Sequence, residues 1–264
     1  MPTTRRSTRA PQGDVRTETL AQFSDQIDAH LGKKVQFADI VMDMHEVKVK
    51  AEHVKKARSA VFAHVKKAYE IGHRQIMGTT YDLAITNPQP GEFTLTVTSA
   101  AAKKASPEKW KKAHIRAPFR QIKAPAAFTA AVELPELPVG WDATFIEPVT
   151  AVKMYQDHPA WALISELRDE DDHLHGDLLG IAHDCDWDGD LIVFADGWSV
   201  QLTRMQFDSA AFEQVDSDLF FELADYKQKQ AAPRIYVTNR GGDHWDEDTR
   251  EGYGSDYKQR MGWA

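Results

Sequence analysis

The chain has 264 residues, 42% of them apolar and 27% charged, a balance that supports a buried core and excludes disorder over most of its length. A single cysteine, Cys185, excludes an internal disulfide framework and a multi-cysteine zinc site, and fits a reducing compartment. No apolar run reaches the roughly 18 residues of a membrane span, and the arginines near the start have no apolar stretch behind them, so the expectation is a cytoplasmic protein without signal or anchor.

Charge is unevenly divided. Residues 1–140 hold 22 Lys and Arg against 14 Asp and Glu, and residues 141–264 hold 10 against 26, so a half of net +8 precedes one of net −16. A basic half suits a phosphate-backbone binder, because counterion release drives that association. The acidic half suits a basic partner or mimicry of DNA. Solvated faces that merely differ in charge are the plain alternative.

Residues 1–17 carry no periodicity and read as a mobile basic arm. TLAQFSDQIDAHLG (19–32) predicts a short helix closed by Gly32. In the segment 44–72 small or apolar residues recur at Val47, Ala51, Val54, Val61, Val65 and Ala68, broken only at Arg58, which predicts a long amphipathic helix with Lys48, Lys55, Lys56, Lys66 and Lys67 on its exposed side. TYDLAITNPQPGEFTLTV (80–97) has two β-patterned runs around a Pro- and Gly-rich link and reads as a hairpin. SPEKWKKA (106–113) predicts a short helix with Ser106 as cap and Pro107 in its first turn, and HIRAPFRQIKA (114–124) a strand. Residues 124–140, with three prolines, read as a linker.

The second half predicts the same order of elements. Ala160, Ile164, Leu167, Asp171, Leu174, Leu178, Ile181 and Cys185 form a helical seam with one polar break. Gly189 is the expected stop. LIVFADGWSVQL (191–202) predicts a type I′ hairpin at Asp196-Gly197. Short helices over 208–229 and a strand at 233–238 complete it. The expected fold is α+β, built from two pseudo-repeated units (18–123 and 141–240), each a long coiled-coil-like helix, a hairpin, a short helix and a strand. The remaining segment, 241–264, reads as a flexible tail whose Trp245, Tyr253, Tyr257, Met261 and Trp263 either dock on the body or await a partner.

Candidate chemistry is sparse. Asp184, Asp186, Asp188, Gly189 and Asp190 resemble the start of a calcium loop, yet Ala195 stands where the closing Glu belongs and a β-run follows, so a helix-to-hairpin turn with exposed acids is expected. His173, His175 and His183 lie close in sequence, but His173 and His175 are about 200° apart on a helix and cannot both face one ion, so exposed polar-face histidines are expected. Glu46-Val47-Lys48 matches the E-x-K core of metal-dependent nucleases, but within a helical pattern. No metal, cofactor or catalytic residue is expected, and Cys185 reads as a packing thiol. The densest positive cluster is Lys103, Lys104, Lys109, Lys111, Lys112, Arg116, Arg120 and Lys123, interleaved with Trp110, His114 and Phe119. It suits DNA, with cations on phosphates and rings on unpaired bases, or an acidic protein surface, including this protein's own second half.

FDSAAFEQVDSDLFFELADYKQKQAAPRIYVT (207–238), after a long helix and the hairpin LIVFADGWSVQL, resembles the C-terminal pattern of phage recombination-associated accessory proteins, among them the Gam-like host-nuclease inhibitors. TSAAAKKASPEKWKKAHIRAPFRQIKAP (98–125) is similar to a degenerate copy of that ending. The resemblance implies a non-enzymatic phage protein of DNA recombination or DNA metabolism in the host cytoplasm, such as a nuclease inhibitor or a recombination directionality factor, binding an integrase or nuclease through helical seams and DNA through its basic half. An acidic DNA mimic and a metal-dependent nuclease are the alternatives.

Overall fold

The computed structural model describes residues 14–88, 91–228 and 232–240. They form two compact units, one from residues up to 54 with 90–135 and 162–229, the other from 55–89, 136–161 and residues beyond 229. The units interleave along the chain, whereas consecutive units of 18–123 and 141–240 were expected. The reason is strand pairing: every ladder but the short one between Ile192–Val193 and Ser199–Val200 joins the first half of the sequence to the second.

Local signals hold. Helix α1 (Leu20–Leu31) opens with a reciprocal capping box between Thr19 and Gln22 and closes at Gly32, φ +63°, a left-handed conformation that a side chain disfavours. Helix α2 (Phe37–Glu70) has 34 residues, and all six expected seam residues are buried along it. It begins before the expected start because Phe37, Val41 and Met44 carry the same apolar stripe backward, all buried.

In the first unit a four-stranded sheet runs β1 (Asp14–Val15), β5 (Ile192–Val193), β6 (Ser199–Phe207), β4 (His114–Lys123). β1 lies parallel to β5 and the other pairings are antiparallel. Pro118 and a register shift before Gln121 interrupt β4, as suits an edge strand with no N–H to donate at that point. The core gathers Phe37, Val41 and Met44 with Ile122, Leu178, Ile181, Ile192, Trp198, Val200 and Leu202. Helix α7 (Leu163–Asp184) supplies Leu178 and Ile181, and its Leu167 meets Val47 and Ala51 of α2. Its expected seam reached back to Ala160, but Pro159 opens a separate 3-10 turn, Pro159–Trp161. Short helix α5 (Ala126–Ala131) lies within the expected linker.

The hairpin at 191–202 is present with a different turn. Only Gly197, at φ +88°, has a positive φ there. Gly197 N–H donates to Phe194 O at 3.0 Å and Phe194 N–H to Trp198 O at 2.9 Å, a longer loop with glycine in the left-handed position in place of type I′. Asp196 is used elsewhere: its carboxylate accepts the Leu20 amide at 3.1 Å at the start of α1. The expected hairpin at 80–97 is absent. β2 (Tyr81–Ile85) pairs with β8 (Ile235–Asn239), and β3 (Phe93–Thr96) with β7 (Asp225–Gln228). These distant partners allow Leu83 and Leu95 to pack into two separate cores, a gain that a Pro-rich local turn does not offer.

The second unit packs β2 and β8 with the later turns of α2 and with α6 (Pro148–Asp157) around Val65, Ala68, Ile76, Leu83, Ala151 and Val152. Tyr81 OH donates to the Asp157 carboxylate. The Arg240 guanidinium reaches Tyr81 O at 3.1 Å and Thr79 O at 3.3 Å, with Nε 2.9 Å from Asp82 Oδ1. Among the described residues no helix is long and apolar enough to cross a membrane.

The fold is mixed α and β, as expected, but a repeat of the halves as whole units is not borne out: among the described residues only the second half contains a hairpin. A narrower correspondence exists. Strand β3, helices α3 (Ser99–Ala105) and α4 (Pro107–Lys112) and strand β4 follow the same order as β6, α8 (Ser209–Val215), α9 (Ser217–Leu223) and β7. Caps Thr98 and Ser106 match Asp208 and Asp216, each pair 110 positions apart. The same shift carries the His114–Phe207 pairing onto Ala224 and Val97, the step adjoining the observed Thr96–Asp225 pair.

One buried histidine gives the first unit a pH dependence. His45 is 8% exposed, between Phe128 and Trp198, with Nε2 2.9 Å from the Thr129 hydroxyl and Nδ1 without a hydrogen-bond partner. Burial, reinforced by Lys48 and opposed by Glu52, holds its pKa below the usual histidine value. Below about pH 6.5 the unfolded chain takes up a proton that the folded chain resists, so stability falls with pH there. The urea midpoint should drop between pH 7.5 and 5.5, and drop less in His45→Gln; His175, shifted the same way mainly by burial, leaves part of the dependence in place. An equal drop in variant and parent contradicts this.

Candidate polyanion-binding face

The basic cluster is built on α3, α4 and β4. Thr98 accepts the Ala101 amide at 3.2 Å and Ser106 the Lys109 amide at 3.4 Å, so each short helix starts at its own cap. Ser106, extended at φ −150° and ψ 95°, separates them. Their inner sides pack Ala102 and Ala113 against Val97, Phe212 and Phe220, which leaves Lys103, Lys104, Lys111 and Lys112 on the outside.

The tertiary structure sorts the cluster. Lys109 pairs with Asp216, the cap of α9. Arg116 lies 3.1 Å from Asp188 and 3.3 Å from Asp190, and donates to Asp188 O at 2.8 Å. Arg120 takes Asp171 at 2.7 Å and Asp172 at 3.0 Å, one carboxylate for each terminal nitrogen. These three expected contact residues therefore hold the basic segment to acids of the second half. The acids come from three places: Asp216 from the cap of α9, Asp188 and Asp190 from the loop after α7, and Asp171 and Asp172 from α7 itself. Lys103, Lys104, Lys111, Lys112 and Lys123 are exposed, and among the described residues no carboxylate lies within ion-pair distance of them.

Trp110 was expected to offer a stacking ring, but it is half-buried and occupied. Its indole N–H donates to Ser99 Oγ at 2.9 Å, Lys103 Nζ sits 4.9 Å from the ring and His114 meets it edge-on at 4.4 Å. Phe119 carries Arg204 at 4.3 Å. The face is thus cationic more than aromatic. Trp245, Tyr253, Tyr257, Met261 and Trp263 lie outside the described residues.

The calcium-like loop is engaged by protein cations. Asp184 bonds Lys33 at 3.1 Å, which lowers its pKa, and Asp188 and Asp190 flank Arg116. Asp186 takes a positive φ of 52° as the chain leaves α7. His173 and His183 lie near Asp177 and Asp184 respectively. Among the described residues no three His, Cys, Asp or Glu side chains are grouped to hold a metal ion. Glu46 bonds Lys50 at 2.5 Å on α2, and Lys48 projects about 200° away around the helix, so the E-x-K residues do not converge. Burial, then Asp184 and Asp186, raise the Cys185 thiol pKa, which disfavours the reactive thiolate.

Asp171, Asp172, Asp188, Asp190 and Asp216 were not singled out as partners of the cluster. One signal existed: Asp171 was the lone acid on an apolar seam. No family description, curated protein or solved structure matches the chain.

Proposed function

We propose that this protein works by contact, as a non-enzymatic, phage-encoded accessory protein of DNA recombination or DNA metabolism in the host cytoplasm. In this reading Lys103, Lys104, Lys111, Lys112 and Lys123 hold the phosphates of DNA, and a recombinase or nuclease is the protein partner. The observation that carries it is the set of exposed lysines on α3, α4 and β4, among which Glu108 is the one acid of the two helices and lies within ion-pair distance of none of them. Cations without intramolecular carboxylates are available to release counterions from a polyanion. The matching caps and ladder steps of β3–α3–α4–β4 and β6–α8–α9–β7 further suggest one segment used twice.

The test is binding of labelled duplex and single-stranded DNA across a salt series, measured by fluorescence anisotropy. Lys103→Ala/Lys111→Ala/Lys112→Ala should weaken duplex binding by about tenfold or more at low salt and reduce the slope of log K against log salt by about 0.9 per lysine that met a phosphate. Lys109 is excluded because its loss would also leave Asp216 unpaired. Equal affinity and slope in variant and parent would remove DNA as the ligand of this face.

A further inference from the structure

The second strand–helix–helix–strand segment repeats the shape of the first with its charge inverted. At the 110-position shift, Lys103, Lys104, Lys111 and Lys112 correspond to Glu213, Gln214, Phe221 and Glu222. Exposure runs in parallel through 101–112 and 211–222, differing only at Trp110, half-buried where Phe220 is buried. Two matched faces therefore flank one core of Val97, Ala102, Ala113, Phe212 and Phe220, one cationic, the other acidic. Among the described residues no cation lies within ion-pair distance of Glu213 or Glu222, and between them Val215 and Phe221 are 37% and 60% exposed.

We infer that the acidic α8–α9 face of one copy docks on the lysine-bearing α3–α4 face of a second copy. The inference rests on that lysine face being a polyanion-binding surface, and it names this chain's own acidic face as a competitor for it. The occupant follows from complementarity: Glu213 and Glu222 have the spacing of Lys103 and Lys112, and the aliphatic lysine stems can cover the Phe221 ring. Each copy carries one face of each sign, and in the association inferred both contacts form between the same two copies, which closes a two-fold dimer where a single contact would extend head to tail. Such a dimer masks the lysines, and DNA and self-association exclude one another.

The full-length protein is examined by sedimentation velocity at low and high salt, with and without duplex DNA. The expected result is a dimer at about 50 mM salt that dissociates toward monomer at about 0.5 M, where screening is short-ranged, and that also dissociates when excess DNA is added. Glu213→Lys/Glu222→Lys and Lys103→Glu/Lys112→Glu should each be monomeric alone and should associate with one another when mixed, which a merely misfolded variant would not do. Glu213→Lys/Glu222→Lys should keep its DNA binding. A parent that stays monomeric at low salt, or a Glu213→Lys/Glu222→Lys variant that associates as the parent does, overturns the inference and leaves the DNA reading standing. Failure of the lysine variants to lose DNA binding overturns the DNA reading instead.

Discussion

Phe212→Ala is expected to lower stability by about 3–5 kcal/mol, the range for truncating a large buried aromatic. The ring is fully buried, 5.7 Å from Phe207, and packs with Val97, Ala102, Ala113 and Phe220. That cluster joins α3 and α4 to α8 and α9, so the cavity would loosen both matched faces together. The measurement is a urea titration, with Phe221→Ala as control. Phe221 follows Phe220 on the same helix but is 60% exposed, and its loss should cost within about 0.5 kcal/mol. Similar midpoints for the two variants would mean that the shared core is misplaced. DNA binding of Phe212→Ala, measured below its unfolding transition, should fall too, because the lysines depend on α3 and α4 for their arrangement.

The second large effect concerns a single backbone position. Gly189 has φ +77°, and a Cβ there would meet Leu202 Cβ at 2.9 Å and Thr203 Cγ2 at 3.1 Å. Its carbonyl accepts the amides of Leu202 at 2.8 Å and Thr203 at 2.9 Å, which draws the 184–190 loop onto β6. Leu202 is fully packed in the core and cannot yield cheaply. Gly189→Ala should therefore destabilise by about 2–4 kcal/mol, combining left-handed strain with overpacking. Gly176 and Gly180 provide the contrast. Both lie in α7 with nothing within 4 Å of an added Cβ, so alanine there should stabilise by up to about 1 kcal/mol each through helix propensity. Thermal melts of the three variants check the sign; a Gly189→Ala protein as stable as the parent would contradict the close approach.

These positions show what kind of information the amino-acid order carries. The start and stop of α1, the Ser106 cap of α4 and the seam of α2 were readable because each depends on residues within a few positions of one another, whereas α3 and its Thr98 cap were not expected. Gly189 was expected to stop α7, which instead ends at Asp184 with Cys185 as its C-cap, and its contact was not readable, since the atoms it must avoid belong to Leu202 and Thr203 on a strand formed later. The proposed hairpin at 80–97 failed for the same reason. Alternation marks a strand, while its neighbour is chosen by how much apolar surface each pairing buries, and here Leu83 and Leu95 gain more from partners far along the chain.

The basic cluster divides in the same way. Its existence, and the acidity of the second half, are properties of composition and order. Which cations remain available is decided by the antiparallel register of β4 on β6, which sets Arg116 beside Asp188 and Asp190, while Arg120 reaches Asp171 and Asp172. Helical periods, caps and the sign of each stretch are local quantities and stand in the sequence itself. Apart from the hairpin at 191–202, strand partners, like the pairing of arginines with acids and the matched faces of opposite charge, depend on contacts between residues more than fifty positions apart, which only the folded chain brings within reach.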